Sequence, residues 1–477
     1  MVVSFALRPA FPSLTFQGAL ADRLTSQNIS VAPSAQSGTS TPPKWLQTIT
    51  KHNGWLPIND FRKNEFKQYF TEVEEGPQVI INHLNSSRDS RPTAIQQWAF
   101  QPGVSHFVFV GEGSSLNAAK MAGKAFEGHG FAVSYYNPLE AKALLEQELK
   151  NKVDSKAFEN TYFVLISQSG TTGVLVDYAE ALTNSKLVDQ NNIAVVTNTT
   201  ETQKNNTPTL KGMFPNTTIQ INAGNEASIA STKAVLGTMG AINSILPKSL
   251  QKNFPDGFST AIRNLTNPDY LSNAGSLGIL QQWSKKLNTG IESSSLFKDS
   301  TLKNNELIIL GPATYQPLLN EITLKLRETA LGARENYNTE SFKHGPRTVL
   351  ELEQPLLVIL PPGSKAQEGV LNELYDSLSR FELLHERPYN PEKIFVVAPE
   401  THQLSTAAIR TDVKKRNTAF TLTKNPVLKV PDLDNALAHQ TNVLYMMQLF
   451  CGTLTQERLN VKILNNPFLD KSVMPKQ

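Results

Sequence analysis

The chain has 477 residues, of which 39% are hydrophobic and 18% charged. This excludes a wholly disordered protein and leaves room for about three domains of ordinary size or two larger ones. Lys and Arg exceed Asp and Glu by 45 − 42 = 3, too small a surplus on this length to suggest nucleic acid as a partner.

No apolar run approaches the roughly 18 residues that a membrane helix needs. A single cysteine, Cys451, excludes a disulfide framework and a cysteine-based zinc site. The balance fits a soluble, cytoplasmic protein with small-molecule or protein partners and no membrane association. Residues 25–43, TSQNISVAPSAQSGTSTPP, are rich in Ser, Thr, Pro and Gln and carry no charge. Such a segment cannot bury enough apolar surface to offset its ordering entropy, so residues 1–60 are expected to form a flexible N-terminal segment. Arg8 and Arg23 with one acid, Asp22, are a bias shared with organellar leaders; a disordered tail is the plainer reading.

From residue 107 the text becomes α/β. FVFVG (107–111) reads as a buried strand, and a helical pattern follows through Phe126, closed by Gly128 and Gly130. YFVLIS (162–167) is a second buried strand, followed by a turn and a helix over 174–182. IAVVTN (193–198) is a third. Continuous apolar runs separated by helices are what a parallel sheet covered on both faces requires. The syntax then recurs. LIILG (307–311) stands 200 residues after FVFVG and is followed by a helix through Leu331. LLVIL (356–360) leads into Pro361-Pro362-Gly363, and IFVVAP (394–399) stands 201 residues after IAVVTN. An apolar helix at 441–454 answers one at 232–246. The repeat predicts two tandem, doubly wound α/β domains of flavodoxin-like type. They are expected at 61–255 and 256–455, joined where Pro and Gly cluster near 247–270, with a C-terminal tail over 456–477.

In an open parallel sheet, ligands bind beyond the carboxyl ends of the strands. After the first strand come Gly111-Glu112-Gly113-Ser114-Ser115. The third Gly of a dinucleotide fingerprint is missing, because position 116 is Leu, so no nucleotide cofactor is expected. The reading is a Gly turn with two hydroxyls at a helix N-terminus, where anions bind readily. After the second strand come Ser167-Gln168-Ser169-Gly170-Thr171-Thr172. An N-cap needs one hydroxyl; four hydroxyls and a Gly suit a phosphate monoester held without Lys or Arg. The repeat has Pro361-Pro362-Gly363 here, and Pro has no N–H to donate, so one cradle is expected rather than two.

A second dense region spans 321–347. Glu321, Lys325, Glu328 and Glu335 fall at helical spacings on one face. A solvated face of i,i+4 ion pairs explains that pattern as well as a site does. His344 precedes Gly345-Pro346, and a carboxylate–histidine pair suits general acid–base work.

These residues resemble the tandem sugar-isomerase (SIS) domains of glucosamine-6-phosphate synthase, the glutamine–fructose-6-phosphate aminotransferase. The likeness covers roughly 65–477. It runs from FKQYFTEVEEGPQVIINHL (66–84) through Gly113-Ser114-Ser115, Ser167-Gln168-Ser169-Gly170-Thr171-Thr172 and Ala230-Ser231-Thr232-Lys233. It continues through Lys325-Leu326-Arg327-Glu328, Lys343-His344-Gly345-Pro346 and Leu469-Asp470-Lys471-Ser472-Val473. The resemblance implies phosphate binding by Ser167, Gln168, Ser169 and Thr172, with Gly113, Ser114, Ser115 and Ser231 approaching the sugar. It implies Glu328 as the base that moves a proton between C1 and C2, with Lys325 beside it. It further implies His344 assisting ring opening from the neighbouring subunit of a homodimer, and Lys471 reaching the ketose carbonyl, where it can form an imine. No cofactor or metal is implied; the partners are a sugar phosphate and ammonia or an amine.

The synthase carries a glutaminase domain with a nucleophilic N-terminal Cys, whereas position 2 here is Val. The expectation is therefore an isomerase/aminotransferase of fructose 6-phosphate and glucosamine 6-phosphate without its own glutaminase. Glu340 and Phe342 in TESFKHGP look more like deaminase or deglycase relatives. Those reactions, and a non-catalytic sugar-phosphate binder, remain the alternatives.

Overall fold

The computed structural model describes residues 60–85, 105–204, 207–226, 228, 230–246, 254–267, 275–288, 306–330, 333–401 and 422–460. The expected flexible segment, the tail with Lys471 and part of the expected join lie outside the described residues. After helix α1 (Asp60–Asn85) comes a five-stranded parallel sheet. Its strands are β1 (His106–Gly111), β2 (Ala132–Tyr136), β3 (Thr161–Ser167), β4 (Ile193–Thr197) and β5 (Thr218–Gln220). The order is β2-β1-β3-β4-β5. Its helices are α2 (Ser114–Ala122), α3 (Pro138–Lys150), α4 (Gly173–Ser185) and α5 (Lys233–Asn243). Helices α6 (Phe258–Thr266) and α7 (Ser276–Asn288) lead to a second parallel sheet.

The second sheet consists of β6 (Leu307–Gly311), β7 (Ala333–Asn338), β8 (Leu356–Ile359), β9 (Ile394–Pro399) and β10 (Leu428–Val430). The order β7-β6-β8-β9-β10 repeats that of the first sheet. Helices α8 (Gln316–Ala330), α9 (Ser364–His385) and α10 (Ala436–Asn460) complete it. In both sheets the first strand lies beside the third, so winding reverses between them, and the crevice at that reversal is where such sheets bind ligands.

The central strands are apolar on both faces because both faces are covered. Phe107 and Phe109 point into one core, Val108 and Val110 into another. In the second sheet Leu307 and Ile309 join the same core as Phe107, while Ile308 and Leu310 face outward onto the layer that includes α9. One apolar core thus runs between the two sheets, with residues of α1, α2, α5, α7, α8 and α10 inside it.

Three expectations are corrected. The helix expected from 116 to 126 is broken after Ala122 at Gly123, a residue so close to the Tyr135 ring on β2 that no Cβ would fit without a shift. Glu335 is not on the helix with Glu321: α8 ends at Ala330, and Glu335 pairs with Ile308 as part of edge strand β7. The solvated-face reading of α8 also fails, since Glu321 and Lys325 are 0% and 1% exposed. Among the described residues, no helix is long and apolar enough to cross a membrane.

Burial makes the fold acid-sensitive. His439, inside α10, is held down to about 4 by desolvation, with Asp432 opposing. Unfolded, it takes up its proton near pH 6.5, so from there downward the unfolded chain binds a proton that the folded chain refuses. Stability is complete above about pH 6.5 and falls as the pH drops toward about 4, by as much as about 3 kcal/mol for this residue. Burial lowers His83 and His106 in the same direction. The melting temperature should fall between about pH 7 and 5, and His439→Gln should flatten part of that slope. A melting temperature constant over this range would contradict the account.

Candidate active site

The loop after β3 is built at the first sheet's reversal point. Ser167 ends the strand with 3% exposure, and its Oγ lies 2.9 Å from Thr172 Oγ1 and 3.4 Å from Ser169 Oγ. Gly170 N donates to Ser167 Oγ at 3.1 Å, and Thr171 N to Ser169 Oγ at 3.2 Å. Thr172 stands at the N-cap of α4 but makes no side-chain cap bond; its hydroxyl turns toward Ser167 instead. The first N–H groups of α4 therefore keep no capping side chain, and they add the positive end of a helix dipole to the hydroxyls. Gly170 has φ +66°, and a Cβ there would lie 2.6 Å from Thr199 Cγ2, so the turn requires Gly.

Gly111 pairs with Ile166, which sets the loop after β1 beside this cradle. Gly113, at φ +53°, is the N-cap of α2 and lets Ser114 and Ser115 open the helix there. Ser114 and Ser115 are half-buried.

Helix α2 then meets α8 of the second sheet. Asn117 Nδ2 donates to Glu321 Oε2 at 2.9 Å. On α8, Lys325 Nζ lies 2.6 Å from Glu328 Oε2 and 3.5 Å from Glu321 Oε1. Burial alone would push the Lys325 ammonium down, but Glu321 and Glu328, with Glu226 adding to them, outweigh it and hold the pKa above the ordinary value. Lys325 is therefore a fixed cation. Glu328, with a side chain 27% exposed, is the member of the trio that opens outward. A carboxylate anchored at one end by a buried ammonium and open at the other can take a proton from a bound molecule.

The segment before α5 adds the charge of Glu226 to the surroundings of Lys325. Glu226 Oε1 accepts from Thr232 N at 2.8 Å and Ala234 N at 3.1 Å, capping α5, and Oε2 accepts from Ser231 Oγ at 3.0 Å. Tyr69 on α1 donates its hydroxyl to Gln448 O at 2.9 Å; burial, Cys451 and the nearby charge of Glu328 raise its pKa well above normal.

No family model matches the chain. Among curated proteins it is similar to a glutamine–fructose-6-phosphate aminotransferase of Buchnera aphidicola, 26% identical over 346 residues that make up 67% of this chain and 51% of that protein. The chain spans about half the length of the curated relatives it matches. Among solved structures it is similar to the C-terminal domain of the Francisella tularensis aminotransferase, at TM-score 0.55 and 20% identity over 82% of this chain and 96% of that one. It is equally similar to the tagatose-6-phosphate ketose/aldose isomerase of Escherichia coli, at TM-score 0.55 and 14% identity over 84% and 95%. At these identities the structural likeness is one of fold.

This chain resembles the isomerase half of glutamine–fructose-6-phosphate aminotransferase.

The structure gathers the residues singled out in the sequence into separate groups. Ser167, Gln168, Ser169 and Thr172 form one loop, with the turn of Gly113, Ser114 and Ser115 next to it. Lys325 and Glu328 are paired. The Ser231 hydroxyl is engaged by Glu226. His344 is exposed in the turn after the short helix Thr339–Phe342, and its side chain makes no hydrogen bond or ion pair among the described residues. Lys471 lies outside the described residues.

Sequence reasoning left out Asn117, Glu226 and Tyr69, and saw Glu321 only as part of a helix face. Glu321 had a signal, its i,i+4 spacing to Lys325. Asn117 and Tyr69 had none, because their partners stand more than 200 residues away in the chain.

Proposed function

We propose that this chain is a phosphosugar aldose–ketose isomerase and aminotransferase of two tandem SIS domains, acting on fructose 6-phosphate and glucosamine 6-phosphate. The observation that carries the reading is the pairing of two unlike parts. A hydroxyl loop at a helix N-terminus is joined, through α2 and Asn117, to a helix bearing a buried Lys325 and an open Glu328. The loop Ser167–Thr172 would hold the phosphate, with binding energy remote from the reacting carbons. Gly113, Ser114, Ser115 and Ser231 would line the sugar. Glu328 would move the proton between C1 and C2, while Lys325 keeps it oriented.

His344 is exposed and unengaged, which supports its delivery to the site of a second copy in a homodimer, where it would assist ring opening. Lys471 would meet the ketose carbonyl. Nitrogen would come as ammonia or an amine, in a cytoplasmic setting. The same groups serve glucosamine-6-phosphate deamination or deglycation. Assay of a panel of sugar 6-phosphates with and without ammonia tests the reading. Interconversion of fructose 6-phosphate plus ammonia with glucosamine 6-phosphate is expected. Thermal stabilisation by a sugar phosphate with no turnover of any member would leave a binding protein instead.

A further inference from the structure

Helix α10 carries His439, Asn442, Tyr445 and Gln448 at every third position, and all four are fully buried. Apolar residues are the usual choice for a helix enclosed on all sides. Three of the four commit one polar atom to a protein partner. His439 Nδ1 lies 3.0 Å from Tyr315 OH, Asn442 Nδ2 donates to Pro431 O at 3.0 Å, and Gln448 Nε2 donates to Thr232 O at 3.2 Å. A carbonyl can only accept, so these bonds fix both amides with their oxygens turned away from that partner. The atoms left over are His439 Nε2, Asn442 Oδ1, Tyr445 OH and Gln448 Oε1, and none meets a hydrogen-bond partner among the described residues. Four such groups kept dry would offset a large share of the net stability of a folded chain.

Helix neighbours three apart have Cβ atoms roughly 5–6 Å from one another. Neighbours on this ridge are thus close enough for their side chains to share solvent molecules. The row continues at the same spacing to Cys451, buried near Lys325, Thr329 and Tyr69. At about 1.5 Å per residue it extends some 18 Å along α10, starting beside Tyr315 beyond the end of β6.

We infer that α10 holds a file of internal water molecules along His439, Asn442, Tyr445 and Gln448, about one for each unpaired polar atom. The donor and acceptor set selects this ligand. Two members of the row, the amide oxygens, only accept. The phenol can donate or accept, and His439 Nε2 donates or accepts according to which ring nitrogen carries the proton. A bridging molecule must therefore donate to the amide oxygens and adapt to the phenol and the imidazole within one row. Water does so, whereas an anion would face two amide oxygens.

Two measurements on the intact chain test the file. A crystal structure fine enough to show ordered solvent should place density between consecutive members of the row. Side chains closed against one another with no density between them would overturn the inference. Tyr445→Phe removes the hydroxyl alone. In a hydrated file that hydroxyl is bonded, so the variant should melt about 1–2 °C lower. An unchanged or raised melting temperature, the result for a hydroxyl buried dry, would overturn it.

Discussion

Glu328→Gln should lower turnover of the responding sugar phosphate by about 10²–10⁴-fold while changing its dissociation constant little. The amide keeps the size of the carboxylate and can still face Lys325, but it cannot take a proton. The phosphate loop stands on the first sheet and shares no hydrogen bond with Glu328 among the described residues, so anchoring of the distal end should survive. Turnover from initial rates and affinity from calorimetry separate the two effects. A variant with near-normal turnover would remove Glu328 from the proton transfer. A variant that lost affinity and turnover together would make it a binding group.

Lys325→Met should be the most destabilising single change in the site. Methionine fills the stem's volume, yet it leaves Glu321 fully buried beside Glu328 with no cation between them. Breaking a buried pair in this way costs about 3–5 kcal/mol. The urea midpoint should fall with little change in slope, because the surface exposed on unfolding is unchanged. Adding Glu321→Gln should recover much of the loss, because the stranded charge is then gone and Asn117 still has an amide oxygen to donate to. Two losses that simply add would mean that the ion pair is not what holds α8 in place.

What could be read from the sequence follows from how much each residue's neighbours in the chain decide its fate. The central strands β1, β3, β4, β6, β8 and β9 are covered on both faces, so they stand out as unbroken apolar runs. The edge strands do not. AVSYY in β2 is half exposed, ARENYN in β7 is mostly polar, and β5 and β10 have three residues each. Without them the strand order could not be read, although the repeat could. In the site, the hydroxyl loop was legible because its residues are contiguous and too many for a cap. The α8 cluster was ambiguous because i,i+4 charge spacing is the same on a wet helix and a buried one. Only the partner surface, α2 with Asn117, decides between them, and that surface is encoded about 200 residues earlier.

The core shared by the two sheets has a thermodynamic consequence. Phe107 and Phe109 of the first sheet pack in the same apolar cluster as Leu307, Ile309 and Phe395 of the second, so neither sheet can open without exposing the other's inner face. The two sheets are then one cooperative unit, although their strand orders are separate copies. An anion seated in the loop after β3 would lower the free energy of the whole unit by RT ln(1 + [L]/Kd), not that of the first sheet alone. Occupancy at Ser167 thereby protects β7 and the turn that carries His344, on the far edge of the other sheet, against unfolding of the whole unit.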